Sequence, residues 1–307
     1  MTAFVVGHKS PDTDSVCAAI ALADLKSKIG VEAKPAVQGE INPESRFVLD
    51  KFGLEAPELL TDGAGKQVFL VDHSDLAQSL DNLEKDKILG IVDHHKVGDV
   101  TTPNPVWVWT WPVGCTCTVI KNMYDFFKVE IPKNIAGIMT CSILSDTVIF
   151  KSATCTKQDR EAAETLARIA GLDDLQGLGI EMFKVKSAIE GTPVRELVKR
   201  DYKDFDMSGR KVGIGQLEVV DLSLLDAVKE DLARDIQGLK NEGGYHSVFL
   251  LLTDIMKEGS EMLLASDDPS VVEKSFGKAP EGDRVWLDKV MSRKKQVVPN
   301  FEKGFAA

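Results

Sequence analysis

Short apolar runs that end in polar residues recur through the first half of the chain. Residues 3–8, 31–37, 67–72 and 88–93 share this form, the last reading Ile-Leu-Gly-Ile-Val-Asp. Runs so short and continuous predict strands buried on both faces. Between them, residues 15–29 carry Val16, Ala19, Ile20 and Ala23 at helical spacing and stop at Gly30. Polar stretches near 43–52 and 74–86 are expected to be helical too. Strands alternating with helices predict a mostly parallel sheet with helices on both faces. Residues 115–127 and 134–147 follow as helices. Thr156-Lys157-Gln158-Asp159 opens a further one as a capping box, and Gly171 closes it.

Gly191-Thr192-Pro193 breaks the pattern. Beyond it come a strand at 212–219, a helix at 222–239, a Gly243-Gly244 turn, strands at 247–253 and 262–265, a short helix, and a last strand at 290–298. The expected organisation is an α/β domain over 1–187, a hinge at 188–193, and a smaller mixed α/β domain over 194–307.

Composition narrows the function classes. The chain has 307 residues, 43% hydrophobic and 28% charged, an ordinary globular balance with material for a large core. No run approaches the roughly 20 apolar residues of a membrane helix. The start enters a strand without a basic leader, so a cytoplasmic location is expected. Net charge is 37 − 48 = −11, which argues against nucleic acid as partner. Residues 284–303 invert that balance with six Lys/Arg against two acids. The five cysteines fit no metal or disulfide spacing and read as reduced, mostly buried thiols.

The polar residues that end the strands carry the chemistry. His8, Asp72 and Asp93-His94-His95 each follow a strand's last apolar residue, so all face the carboxyl edge of the sheet, where open α/β sheets form their ligand crevice. With His73, which follows Asp72, four of the five histidines lie at these strand ends. Imidazoles and carboxylates without thiolates suit two hard or borderline divalent cations, whose common use is in-line attack of a metal-bound hydroxide on phosphorus. Asp12 and Asp14, two apart in extended chain, diverge and can serve different metals. The bland alternative is that Asp14 or Thr13 merely caps the following helix. Asp72 is placed to bridge two metals. Of the adjacent His94 and His95, one can ligate while the other meets substrate, and Asp93 can fix an imidazole tautomer. His73 is expected to orient or pack nearby. Arg293-Lys294-Lys295, on the expected last strand, would present 293 and 295 to one side and 294 to the other. Trp107, Trp109 and Trp111 alternate along one strand face, as core packing or a dimer surface. Gly243-Gly244-Tyr245-His246 reads as a turn with a bystander histidine.

His8-Lys9-Ser10-Pro11-Asp12-Thr13-Asp14-Ser15, Asp72-His73, Asp93-His94-His95 and Ser292-Arg293-Lys294-Lys295-Gln296 together resemble the signature set of family II inorganic pyrophosphatases, in the DHH phosphoesterase superfamily. The ordered match spans essentially the whole chain. The resemblance implies catalysis in a cleft between two domains. It also implies His8 and Asp12 on one metal, Asp14, His94 and Asp146 on the other, and Asp72 bridging. His95, Arg293, Lys294, Lys203 and Lys9 would contact the phosphates. Two Mn²⁺ or Co²⁺ per subunit, Mg²⁺ with the pyrophosphate, and a homodimer through the tryptophan region are implied as well. Ser10 stands where the family often has Asn, and Ser74-Asp75 where it often has Asn-Glu. Gln78 falls where the family has a glutamine near the substrate. A short-chain exopolyphosphatase or nucleotide phosphoesterase of the same superfamily is the enzymatic alternative. A catalytically idle metal- or phosphate-binding regulator is the non-enzymatic one.

Overall fold

The computed structural model describes residues 2–187 and 191–306. The chain divides into two compact units, Met1–Val185 and Lys186–Ala307. Residues 188–190 of the expected hinge lie outside the described residues.

The first unit runs β1 (Ala3–Val6), α1 (Thr13–Lys28), β2 (Ala33–Val37), α2 (Pro43–Lys51), β3 (Glu58–Leu59), β4 (Val68–Val71), β5 (Ile88–Asp93) and β6 (Trp107–Thr110). Helices α3 (Thr116–Phe127), α4 (Lys133–Asp146), α5 (Lys157–Ala170) and α6 (Leu175–Lys186) complete it. Its sheet has the order β3-β2-β1-β4-β5-β6 with every pair parallel. From β1 the chain winds outward through β2 and β3, then returns to place β4 on the opposite side. The switch point therefore lies between β1 and β4. All four residues of β4, Val-Phe-Leu-Val, are buried, as an interior parallel strand requires.

Local sequence explains the helix ends. Asp12 caps α1 by accepting the Ser15 N–H at 2.9 Å. Thr156 and Asp159 form the expected capping box on α5, and Gly171 closes that helix at φ 73°. The expected helix over 74–86 does not form. Only short 3-10 turns at Leu76–Gln78 and Lys85–Lys87 occur there. Leu80 and Leu83 from this segment pack with Val6, Leu70 and Ile91, so core burial fixes it without a regular helix.

The second unit contains α7 (Val194–Lys199), β7 (Tyr202–Met207), β8 (Arg210–Val219), α8 (Lys229–Gly243), β9 (Ser247–Asp254), β10 (Gly259–Ser266), α9 (Ser270–Phe276), β11 (Arg284–Asp288) and α10 (Val298–Ala306). Its mixed sheet has the order β11-β10-β9-β8-β7, with β8 and β9 parallel and the other pairs antiparallel. One core cluster contains Leu232 and Ile236 of α8; another contains Val272 of α9 and Phe301 of α10. The expected helix over 222–239 is split into a 3-10 turn at Leu222–Leu225 and α8. The expected strand over 290–298 is overturned: Arg293–Val297 winds into a π-helical turn that feeds α10. Ser292 Oγ accepts the Lys295 N–H at 3.3 Å, and the Gln296 side chain accepts from the Met291 and Ser292 N–H groups at 2.9 Å each. These local bonds take up backbone groups that a strand would have offered to a neighbour. The last strand lies earlier, as β11.

Candidate metal centre

Because β1, β4 and β5 are adjacent and parallel, their carboxyl ends bring His8, Asp72 and Asp93-His94-His95 together. The loop after β1 adds Asp12 at the N-cap of α1, the first turn of α1 adds Asp14, and the last turn of α4 adds Asp146. Asp14 is thus helical, not in the extended chain expected, because Asp12 caps the helix just before it. Asp72 is buried at the centre, with its backbone in the left-handed region at φ 61°. Its Oδ2 lies 3.3 Å from His8 Nε2 and its Oδ1 lies 3.5 Å from His94 Nε2. Donor atoms of His8, Asp12 and Asp72 lie within 4.8 Å of one another, as do those of Asp14, His94 and Asp146. Asp72, His94 and His95 form a third such group.

The imidazoles are oriented for ligation. Nδ1–H of His8 donates to the Lys9 carbonyl at 2.7 Å, and Nδ1–H of His94 to the Val113 carbonyl at 3.0 Å. A carbonyl can only accept, so both rings keep Nε2 unprotonated when neutral and available to a metal. His95 Nδ1 instead meets Asp93 Oδ1 at 3.0 Å, and the same oxygen accepts the backbone N–H groups of His94 and His95. Asp93 thus steadies the His95 ring, whereas the His94 ring is held by the Val113 carbonyl. His73 turns out to be buried packing, its ring bonded to the Val71 carbonyl and Ser79.

The electrostatics call for cations. Asp12, Asp14, Asp72 and Asp146 share one small volume, and the ion pairs they make among the described residues are with histidines alone. Burial pulls the His8 pKa down, but Asp12 and Asp72 overcome it and lift it to about 12. Burial likewise opposes charge on His94, while Asp72 and Asp14 lift it to about 9. Burial and then the Asp72 charge raise Asp14; burial and then Asp14 raise Asp146. Asp72, despite burial, is held well below the usual carboxylate range by His8 and His94. Four carboxylates with two neutral imidazoles would carry a charge that two divalent cations balance. The donor set fits hard or borderline divalent metals.

Several supporting residues escaped the sequence reading because their partners lie far away in the chain. Asp14 accepts the Thr116 N–H at 2.7 Å, the Ser142 hydroxyl at 2.6 Å and the Cys115 S–H at 3.0 Å. Cys117 also lies in this group, and burial pushes its thiol up to about 12. Glu44 Oε2 accepts from Thr13, between Asp12 and Asp14, and from Ser145, beside Asp146. Gly7 lets the β1 loop lie against Ser15, whose Cβ would be only 2.6 Å from a Cβ at position 7. Ser10 has φ 56°, a conformation Asn adopts more readily. Ser74 Oγ accepts the Gly98 N–H at 2.9 Å, holding the segment after His95.

Residues 2–143 match the model of the DHH family N-terminal domain, and residues 180–303 match the DHHA2 domain. The chain is 57% identical to an Archaeoglobus fulgidus protein named as a probable manganese-dependent inorganic pyrophosphatase, over 99% of this chain and 98% of the relative. It is 46% identical to the manganese-dependent inorganic pyrophosphatase of Methanocaldococcus jannaschii, over 98% and 99%. The chain belongs to the family II inorganic pyrophosphatases. A crystal structure of a Methanococcus jannaschii member of this group superposes with a TM-score of 0.82 at 44% identity, covering 100% of both chains.

Within the second unit of this family II pyrophosphatase, the expected cationic residues are brought near one another. Lys203 is exposed on β7 and pairs in register with Ile214, whose carbonyl accepts Arg293 Nη1–H at 3.3 Å. Arg293 is almost buried. Its guanidinium also donates to the Asp201 carbonyl and carboxylate, each at 2.6 Å. Lys294 is exposed on the π-helical turn, so the expected strand alternation of 293, 294 and 295 does not apply. In the first unit, Lys9 Nζ lies 2.8 Å from Asp81 Oδ1. Gln78 is exposed, and its carbonyl accepts the Lys9 N–H. His246 bonds Ser247 and contacts Phe305 edge-on, as a bystander would.

Proposed function

We infer that this protein hydrolyses inorganic pyrophosphate to two phosphates. The observation that carries the reading is Asp72, a buried carboxylate offering one oxygen to the His8 side and the other to the His94 side. His8, Asp12 and Asp72 would hold one metal, and Asp14, His94, Asp146 and Asp72 the second. Two Mn²⁺ ions bound there, or Co²⁺ in their place, would supply a water acidic enough to be hydroxide near neutral pH. The carboxylates and the Nε2 atoms would hold the ions, and Asp72 would keep the two ligand sets at a common spacing. His95, with Nδ1 occupied by Asp93, retains Nε2 for a phosphate oxygen or for a proton to the departing phosphate. Lys9, Lys203, Arg293 and Lys294 would neutralise phosphoryl oxygens, Arg293 as a rigid fork and the lysines as point charges. Mg²⁺ would enter with the pyrophosphate. The first unit thus binds metal, and the second supplies most of the cations for substrate.

A homodimer through β6 is part of the same reading. This edge strand carries Trp107 at 53% exposure and Val108 at 59%, with Phe126 of α3 at 64% beside Trp109. An apolar, unpaired edge of this kind is ordinarily covered by another chain. No described helix is long and apolar enough to cross a membrane. Five cysteines without a disulfide fit the reducing cytoplasm.

Phosphate release from pyrophosphate in Mn²⁺ tests the assignment. Asp72→Ala is expected to abolish turnover, and near-wild-type activity would sink the reading. Faster turnover of tripolyphosphate or dinucleotides than of pyrophosphate would move it to the exopolyphosphatase or phosphoesterase alternative.

A further inference from the structure

Two buried hydroxyls grip the Asp72 carboxylate, one on each oxygen. Ser15 Oγ donates to Oδ2 at 2.7 Å, and Thr116 Oγ1 donates to Oδ1 at 3.2 Å. Those same oxygens face different histidines, Oδ2 meeting His8 and Oδ1 meeting His94. The remaining bonds of each hydroxyl residue follow the same division. Ser15 Oγ accepts the His8 N–H at 3.3 Å, and the Ser15 N–H donates to Asp12 Oδ1 at 2.9 Å. The Thr116 N–H donates to Asp14 Oδ2 at 2.7 Å. Ser15 therefore touches His8, Asp12 and Asp72, while Thr116 touches Asp14 and Asp72.

We propose that Ser15 and Thr116 are positioning residues that divide Asp72 between the two metals, Ser15 governing the His8–Asp12 side and Thr116 the Asp14–His94–Asp146 side. The proposal rests on the two-metal reading above. A bridging carboxylate must hold its plane so that each oxygen addresses one cation. The terminal torsion of an aspartate is broad, so the backbone alone does not set that plane. Hydroxyls on opposite oxygens do. Ser15 and Thr116 are 1% and 0% exposed, so bulk water cannot readily replace either bond. Thr116 stands at the first turn of α3, and its two bonds link the bridging carboxylate to a carboxylate of the second set.

Calorimetric titration of metal-free protein with Mn²⁺, paired with the Mn²⁺ electron paramagnetic resonance signal, tests this. Wild type is expected to bind two ions per chain. Ser15→Ala and Thr116→Val are each expected to weaken one of the two binding steps by about 10- to 100-fold and spare the other. Thr116→Ser, which keeps the hydroxyl, should restore wild-type binding. In a His8→Ala background, Thr116→Val should still weaken the surviving step, and Ser15→Ala should not. Thermal melts of the metal-free variants establish that they fold. Folded variants in which both steps fall together, or neither does, overturn the proposal while the two-metal reading stands. Wild type that binds no Mn²⁺ overturns both.

Discussion

Asp159 accepts the N–H of Gly114 at 2.8 Å, across 45 residues of chain. The same peptide group presents the Val113 carbonyl to His94 Nδ1 at 3.0 Å. A planar peptide links the two bonds, so a buried carboxylate on α5 sets the direction of the His94 imidazole, a proposed metal ligand, through one rigid group. Asp159 also takes the Thr118 hydroxyl at 2.6 Å and the Thr156 N–H at 2.8 Å.

Replacing Asp159 by Asn should loosen the 113–114 peptide and with it His94. The expected result is roughly tenfold weaker Mn²⁺ binding at one of two sites, with a lower melting temperature. Unchanged Mn²⁺ titration curves alongside a lowered melting temperature would reduce Asp159 to a helix cap.

Metal uptake should release protons. In the metal-free protein His94, lifted to about 9, and His8, lifted to about 12, are protonated at pH 7. Both lie above the ordinary value of 6.5, so their stabilising contribution is complete below about pH 6.5 and is lost as pH rises through the folded values. The raised Asp14 and Asp146 change stability in the same direction. The metal-free protein should therefore melt at a higher temperature at pH 6.5 than at pH 9, whereas Mn²⁺ affinity rises over that interval. Calorimetry at pH 7 in buffers of different ionisation enthalpy would detect the protons; equal heats across buffers would contradict the expectation.

Arg293→Lys should be far from conservative. Lysine cannot reproduce a planar fork that meets the Asp201 carboxylate, the Asp201 carbonyl and the Ile214 carbonyl together. With charged hydrogen bonds at stake, kcat/KM for pyrophosphate is expected to fall about tenfold or more, mainly through KM. Steady-state kinetics over a range of pyrophosphate concentrations separates the two parameters.

Trp107→Glu should leave the fold and Mn²⁺ binding intact but break the proposed dimer. Light scattering coupled to size exclusion is expected to give twice the chain mass for the wild type and the single-chain mass for the variant. A wild type already at single-chain mass would remove the dimer from the proposal.

The first unit was legible because its strands are apolar runs punctuated by His and Asp, and a parallel sheet turns those punctuation marks into neighbours. Position alone brought His8, Asp72 and Asp93-His94-His95 to one edge. Strand periodicity failed at 290–298, where Val290, Val297 and Val298 looked extended; Ser292 and Gln296 instead close the backbone on itself. β7 went unseen because Tyr-Lys-Asp-Phe-Asp-Met is mostly polar and lies at a sheet edge. Ser15, Thr116, Ser142 and Asp159 could not be read as supports, since each bonds a partner between 41 and 128 residues away.

The division of chemistry between the units has a consequence for synthesis. Each of the six residues proposed to hold metal lies at or before Asp146, while Lys203, Arg293 and Lys294 come later in the chain. A nascent chain emerging from the ribosome can therefore complete this proposed metal set before Lys203, Arg293 and Lys294 have been made, Lys9 alone of the cations proposed for pyrophosphate being present already. Early cation capture would then act as a clamp on a parallel sheet whose central strand, β1, must wait for β4 to arrive.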